Sequence, residues 1–412
     1  SEAGDDAATG ALLERIYADL RLIARARLRN ERADTLGTTA LVHEAWLAMA
    51  RHEQASFDSR SIALAHGSVE LLQQWGLWQD LQQSGCAIKH IHISDRGHFG
   101  KTYLNATDHQ LSALGQVIEV EAIGEVLWQK LKAFTTQGRL SWFYSDAIAA
   151  LNPTAELQHI SLKSGALLQS KLLVIAEGGL SPSRTLAGFE LKSDDYQQHA
   201  LIANIGLADS HQHQAFERFT PTGPLALLPL TRQRYSLVWT LTPEQAEHHL
   251  NQPEHEFLAA LQQAAGHRAG VFKTVGQRVV YPLSLKRATE AARHRTVLLG
   301  NSLHNLHPIA GQGFNLAIRD IFSLSLLVQK HQADAGSYAL TKAYQQARLP
   351  DMQQVILYTD SLVRLFSNSS RLMALGRNTG LFALNLCPDL KQAVANQAMG
   401  LNSIRQLKAL LT

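Results

Sequence analysis

Long apolar runs, paired cysteines and a strong charge of either sign are all missing from this 412-residue chain. No stretch approaches the roughly 18 consecutive apolar residues of a membrane-spanning helix, and Leu172 to Ala176 is among the longest there are. Cys86 and Cys387 stand roughly 300 positions apart, with no CxxC around either. That excludes a disulfide framework and fits a reducing compartment. A formal net charge of +3 gives no global field toward nucleic acid. The opening Ser-Glu-Ala-Gly-Asp-Asp lacks the basic-then-apolar order of a secretory signal, so a cytoplasmic location is expected. Hydrophobic residues at 45% and charged residues at 18% are ordinary for a globular protein, and the length calls for more than one core.

Composition changes near residue 57. Before Phe57 every basic side chain other than histidine is Arg and the only glutamine is Gln54; from Gly67 onward Gln is abundant, and Lys first appears at Lys89. Leu12, Leu13, Ile16, Leu20, Ile23 and Ala24 recur at the spacing of one helical stripe, with Arg21, Arg25, Arg29 and Arg32 off it. A second helix is expected from a Thr38-Thr39 cap, carrying Leu41, Val42, Ala45, Trp46 and Met49. Residues 1–56 are thus expected to form a helical hairpin. His43-Glu44 is no zinc motif, because the position that HExxH needs for its second His holds Leu47. Residues 12–50 resemble the N-terminal part of an extracytoplasmic-function sigma factor, but the second DNA-reading domain is absent. No nucleic-acid partner is expected, and a solvated Arg face accounts for the charge.

The most specific segment runs from Arg295 through Gly300-Asn301, Pro308 and Gly311-Gln312-Gly313-Phe314-Asn315 to Asp320. Val297, Leu298 and Leu299 read as a strand buried on both faces. Gly311 and Gly313 let the backbone approach a ligand closely. A helix is expected to start within a residue or two of Gly313 and to aim its free N–H groups into a cleft. The segment is similar to the second FAD-binding motif of the para-hydroxybenzoate hydroxylase superfamily, in the branch that hydroxylates an octaprenyl-methoxyphenol for ubiquinone. Asn301 stands where most members have Asp.

Three further stretches match the same family in the same order. Leu172 to Arg184 resembles its Asp-Gly motif, with Glu177-Gly178 near the cofactor pyrophosphate and Arg184 closing the turn. Phe57 to Ser68 places Arg60 just before an expected helix, where the family uses an arginine against the flavin and its phosphates. Phe216 to Thr220, Gly223 to Pro229 and Ser236 to Trp239 read as a meander, with Phe219, Leu225, Leu227 and Trp239 as candidates for an oily substrate pocket. Tyr281-Pro-Leu also fits the branch. His304 and His307 read better as structural histidines than as proton carriers.

The resemblance implies an α/β fold with a glutathione-reductase-like FAD domain and an antiparallel-sheet substrate domain. Residues 57–185 and 275–345 would form the FAD domain, 186–274 the substrate domain and 346–412 C-terminal helices. No Gly-x-Gly-x-x-Gly occurs anywhere in the chain, so the first βαβ unit, which holds the ADP half of FAD, is lacking. The family activity would use NAD(P)H and O2 to hydroxylate a prenylated phenol through flavin chemistry, with no protein nucleophile and no metal. The resemblance leaves room for a ubiquinone-biosynthesis complex and for peripheral contact with the inner membrane. The rival reading is a non-catalytic fusion or chimera, acting as a scaffold or quinoid-lipid binder.

Overall fold

The computed structural model describes residues 60–97, 100–306, 311–366 and 388–411. The expected N-terminal hairpin, His307, Pro308 and Cys387 lie outside the described residues.

Four sheets organise the rest. Ser61–Ala65 (β1) and Gly85–Ile88 (β2) flank Gly115–Glu119 (β5), both antiparallel to it. The sequence led us to expect a helix directly after Arg60. A strand comes first, because Ser61 to Ala65 pair along their whole length with β5. The alanines favour a helix intrinsically, and this pairing overrides that preference. The helix His66–Gln74 (α1) follows, and Trp78–Leu81 (α2) comes next.

The largest sheet has nine strands. Its centre is Leu191–Leu207 (β10), Arg234–Leu241 (β13), Gly223–Leu230 (β12) and Gln214–Thr220 (β11), an antiparallel meander as the sequence pattern implies. His90–Asp95 (β3) joins β11 in parallel and Lys101–Asn105 (β4) lies outside it. On the other side stand Phe272–Val275 (β14), Val279–Ala288 (β15) and His304–Asn305 (β18). The sheet therefore reaches beyond residues 186–274 in both directions. One face carries Leu201, Leu225, Leu227, Leu237 and Trp239 against Pro243–Asn251 (α5) and Glu254–Ala265 (α6). Strand alternation turns Ala200, Ile202, Ala226, Val238 and Thr240 to the opposite face.

The third sheet holds the segments that resembled cofactor motifs. Thr296–Leu298 (β17) is buried throughout and pairs in parallel with Leu173–Ile175 (β9), while Ala292–Arg293 (β16) lies along its other edge. Among the described residues β9 has β17 as its one strand partner, and Val174 is exposed. The fourth sheet is a small meander of Ile148–Pro153 (β6), Gln158–Leu162 (β7) and Leu167–Ser170 (β8). Val120–Thr136 (α3) precedes it and Pro182–Leu186 (α4) follows β9.

From Gln312 onward the described residues are helical: Gln312–Lys330 (α7), Tyr338–Phe366 (α8), Pro388–Ala398 (α9) and Leu401–Leu411 (α10). Helix α8 runs unbroken across the boundary expected at residue 345. Between α7, α8 and the turn after β17 lies a cluster of buried charges. Asp320 accepts from the Gly300 N–H at 3.0 Å and from His304 Nε2 at 2.8 Å through one oxygen, and from Arg348 Nε at 2.7 Å through the other. Arg319 and Arg348 both reach Asp351 Oδ2, at 2.9 and 2.8 Å. Burial alone would raise the Asp320 carboxyl, but His304 and Arg348 outweigh it and hold the carboxyl low. Burial likewise opposes Arg319 and Arg348 at Asp351, which is held down to about 2.

Two results are expected. Asp320→Ala strips buried Arg348 of one of its two carboxylates and leaves the buried His304 Nε2 and Gly300 N–H without their acceptor, and should lower unfolding stability by roughly 3 to 5 kcal/mol in urea titration. A carboxyl depressed in the folded state stabilises above its unfolded value, 3.8 for Asp351, and loses that contribution as pH falls toward about 2. The urea midpoint should therefore drop steeply between about pH 4 and 2, and less steeply in Asp351→Asn. An unchanged acid slope in that variant would refute the assignment.

Candidate flavin site and its relatives

Two turns meet where β9 and β17 end. At the end of β9, Glu177 accepts from Ser181 Oγ and the Ser183 N–H, both at 2.7 Å, through one oxygen, and from Ser183 Oγ at 3.0 Å through the other. Both oxygens thus shape the turn into α4. Gly178 follows with φ of +87°, a conformation that favours glycine. Arg184, the residue expected to close this turn, donates to Gly179 O at 3.1 Å and across to Ser302 O at 3.0 Å. Ser302 Oγ donates back to Gly178 O. One buried guanidinium therefore locks the two motifs together, 118 positions apart in sequence.

Gly300 adopts φ of +59° and its N–H is held by Asp320. Asn301 donates to Asn305 Oδ1 at 3.2 Å. His304 is buried against Asp320, the structural role expected of it.

Helix α7 begins at Gln312, within the expected margin of Gly313. Its N-cap Gly311 has φ of +59°, and a Cβ there would come within 3.2 Å of the Ala63 side chain. Asn315 fixes this junction: Oδ1 accepts from the Ala65 N–H at 2.8 Å, and Nδ2 donates to Ala63 O and Gly311 O. Gln312 is buried and donates to Ala398 O. Gly313 differs from both neighbours: a Cβ built on it meets nothing within 4 Å, and Phe314 beside it is 41% exposed. The helix start thus has open space beside Gly313, where a cofactor's polar edge could approach its N-terminus. Arg60 lies with its guanidinium 4.7 Å from the centre of the Tyr281 ring.

The four candidate pocket residues do not share a surface. Leu225 and Leu227 are fully buried beneath α5 and α6, and Trp239 lies on that same face, at the edge of a cavity of about 240 Å3 that also borders Thr220 and His249. Phe219 points to the other face, since it pairs with Pro224 and alternates with Arg218. The apolar run in β12 disguised this: both faces are apolar, so composition could not tell them apart.

Sequence reading also missed a cluster of Cys86, His211 and His213. Their ligand atoms lie within 4.8 Å of one another. His211 Nδ1 accepts from the His213 N–H, which leaves Nε2 to donate to Leu230 O at 2.8 Å. His213 Nδ1 faces Ala87 O at 3.1 Å, and burial pushes the Cys86 thiol up to about 11. With these hydrogen bonds the cluster ties β2 to the turn that leads into β11.

A family model described as an FAD binding domain matches residues 46–359, more than half of the chain. The chain belongs to that family. A second model, that of the ECF sigma factor, matches residues 1–65, and the two overlap across the compositional change near Phe57. The ubiquinone hydroxylase UbiL of Rhodospirillum rubrum is 31% identical over 350 residues, covering 84% of this chain and 80% of that one. The 3-demethoxyubiquinol 3-hydroxylase of Escherichia coli is 28% identical over 347 residues, covering 84% and 88%. Among solved structures, a probable FAD-dependent monooxygenase of Pseudomonas aeruginosa, pqsL, superposes with a TM-score of 0.67 at 20% identity, covering 85% of this chain and 98% of that one. That similarity establishes the flavin monooxygenase fold.

The residues present fit the flavin half of FAD: three left-handed glycines, the open space at Gly313 and the exposed start of α7. A substitution pair tests this. Gly313→Ala meets no atoms of the protein and should leave thermal stability unchanged or higher, yet weaken FAD binding on the order of tenfold, the equivalent of about 1.4 kcal/mol. Gly311→Ala forces a side chain into a left-handed conformation against Ala63 and should cost about 1 to 2 kcal/mol of stability. Equal effects of the two on FAD titration and melting would refute the placement.

Proposed function

We propose that the chain is an FAD-dependent hydroxylase acting on a prenylated phenol in ubiquinone biosynthesis, with NAD(P)H and O2 as co-substrates. The observation that carries this reading is the Arg184 bridge, which joins both cofactor motifs beside the open start of α7. The names of the ubiquinone hydroxylase relatives supply the substrate class. When bound, FAD supplies reduction and the activation of dioxygen. The protein orients the ring and excludes water. In this reading Gly300, Asn301, Pro308 and Gly311 to Asn315 surround the ribityl chain and ring, and Arg60, Glu177, Gly178 and Arg184 build the side toward the phosphates.

The same reading assigns residues 57–185 and 275–345 to the FAD domain, 186–274 to the substrate domain and 346–412 to the C-terminal helices, with β3, β4, β15 and β18 lent to the substrate sheet and α8 shared across residue 345. No helix among the described residues is long and apolar enough to cross a membrane. A cytoplasmic enzyme reaching its lipid substrate from the face of the inner membrane, within a complex of ubiquinone-pathway proteins, accommodates that.

The chain lacks the glycine turn and ribose-binding acid that would hold the ADP half, and β9 has an edge without a paired strand among the described residues. Each lost charge-assisted hydrogen bond is worth roughly 1.5 to 3 kcal/mol, so losing two weakens FAD by about 100-fold or more. This deficit also favours the second reading, a non-catalytic fusion or chimera that binds a quinoid lipid. Absorbance in the flavin bands of purified protein, followed by FAD titration and assay with NADPH and a prenylated phenol, separates the two. Weak but saturable FAD binding with slow hydroxylation is expected. Tightly held stoichiometric FAD would overturn the deficit, and a folded chain that takes up no FAD would overturn the enzyme.

A further inference from the structure

The face of the large sheet turned away from α5 and α6 is not uniformly oily. Among the described residues, four buried polar atoms on it have no hydrogen-bond partner: Thr240 Oγ1, Tyr281 Oη, Glu217 Oε1 and, two residues before Ala200 on β10, Gln198 Oε1. Thr240 is fully buried and Tyr281 is 9% exposed. Registers place them on one face. Tyr281 pairs with Ala200 and Ala200 with Thr240; Glu217 pairs with Ala226, Ala226 with Val238, and Val238 with Ile202. Native proteins rarely leave such atoms unsatisfied, so a group on one sheet face with this property points to a ligand that completes it.

Glu217 is the informative member. Two residues before it on the same face, Ala215 packs in one apolar cluster with Leu228 and Ala63. Ala63 is the residue that a side chain at Gly311 would strike. Glu217 therefore lies roughly 7 Å along its strand from the packing that supports the flavin helix start. Tyr358 of α8 lies close enough to feel its charge: the phenol's affinity for its proton is raised first by burial and then by Glu217. Arg218 points to the opposite face and gives no counter-charge, and burial pushes the Glu217 carboxyl up to about 7. A carboxyl in such a place is a hydrogen-bond acceptor poised to take a proton.

We propose that Glu217 recognises the ring hydroxyl of the phenolic substrate, accepting its hydrogen bond and then its proton. In that transfer the phenol O–H bond breaks, its electron pair stays on the ring oxygen and enriches the ring, and the proton passes to Glu217 Oε1. Charge is conserved, and no further reactant is needed. The inference rests on the hydroxylase reading for its substrate class. It goes beyond that reading in naming the residue that separates a phenol from its ether.

Calorimetric titration of the full chain with 2-prenylphenol and with its methyl ether, 2-prenylanisole, tests it without turnover. The wild type should prefer the phenol on the order of tenfold or more, as one hydrogen bond to a charged group provides. Glu217→Leu should bring the ratio to about one. Because it removes a shielded carboxyl without a partner, it should melt no lower than wild type. Glu217→Gln, which accepts a hydrogen bond but not a proton, should keep part of the preference and lose hydroxylation. A wild type without preference, or a Leu variant that keeps it, overturns the proposal. FAD titration of the same samples separates the two readings. A Glu217-dependent preference in a chain that takes up no FAD leaves the recognition standing and defeats the hydroxylase. Hydroxylation with a preference indifferent to Glu217 does the reverse.

Discussion

The Asp320 carboxylate holds the cofactor side of the molecule together. It is fully buried, yet every direction around it is answered: a backbone N–H from Gly300, an imidazole from His304 and a guanidinium from Arg348. Those partners come from three elements, the turn after β17, the short strand β18 and the long helix α8. Asp320 itself stands on α7. Four pieces of chain thus share one charge, and the left-handed turn at Gly300 is held against α7, which has open space beside Gly313 at its start. A buried ion pair is a weak source of net stability but a strong source of uniqueness, because any other arrangement leaves a charge uncompensated. That is the demand a turn makes when its backbone must come close to a ligand.

Arg184 does for the other turn what Asp320 does for this one. Its donors end on carbonyls of both turns, so the exit of β9 and the exit of β17 cannot move independently. Parallel pairing of the two strands sets their spacing, and the guanidinium sets their register at the tips. Glu177 completes the local geometry by tying its own turn through two serines. Its extra methylene relative to the family's acid is absorbed by this inward bonding.

The sequence made the cofactor side legible because its signals are local. A glycine needing a left-handed backbone, a buried apolar strand and a helix start each leave a mark within a few residues, and those of Gly300 to Asn315 occur together. What stayed hidden depends on pairing between distant segments. Ser61 to Ala65 look helical until β5 claims them. β3 and β4 carry nothing that assigns them to a sheet built mostly 100 residues later. The alternation in β12 gave no guide to its two faces, since both are apolar. Leu225 and Leu227 therefore looked like pocket residues although they are core. Cys86 and the two histidines meet only through β2 and β11. Glu217 is one acid in a strand of mixed character, and only the registers of five strands reveal which way it faces.

The compositional change near Phe57 and the one-sided sheet describe the same fact at two levels. A strand of the β9 type is apolar because a parallel sheet covers both its faces. Here, among the described residues, Val174 is exposed and β9 pairs along one edge. The sigma-factor match covers residues 1–65, and the FAD binding domain match begins at residue 46. The turns at Gly178 and Gly300 do not depend on a partner along the other edge of β9, because Arg184 and Asp320 lock them from within the described residues. Their geometry is fixed by bonds between β9, β17, α7 and α8, so an open edge on β9 leaves both turns in place rather than dissolving the fold.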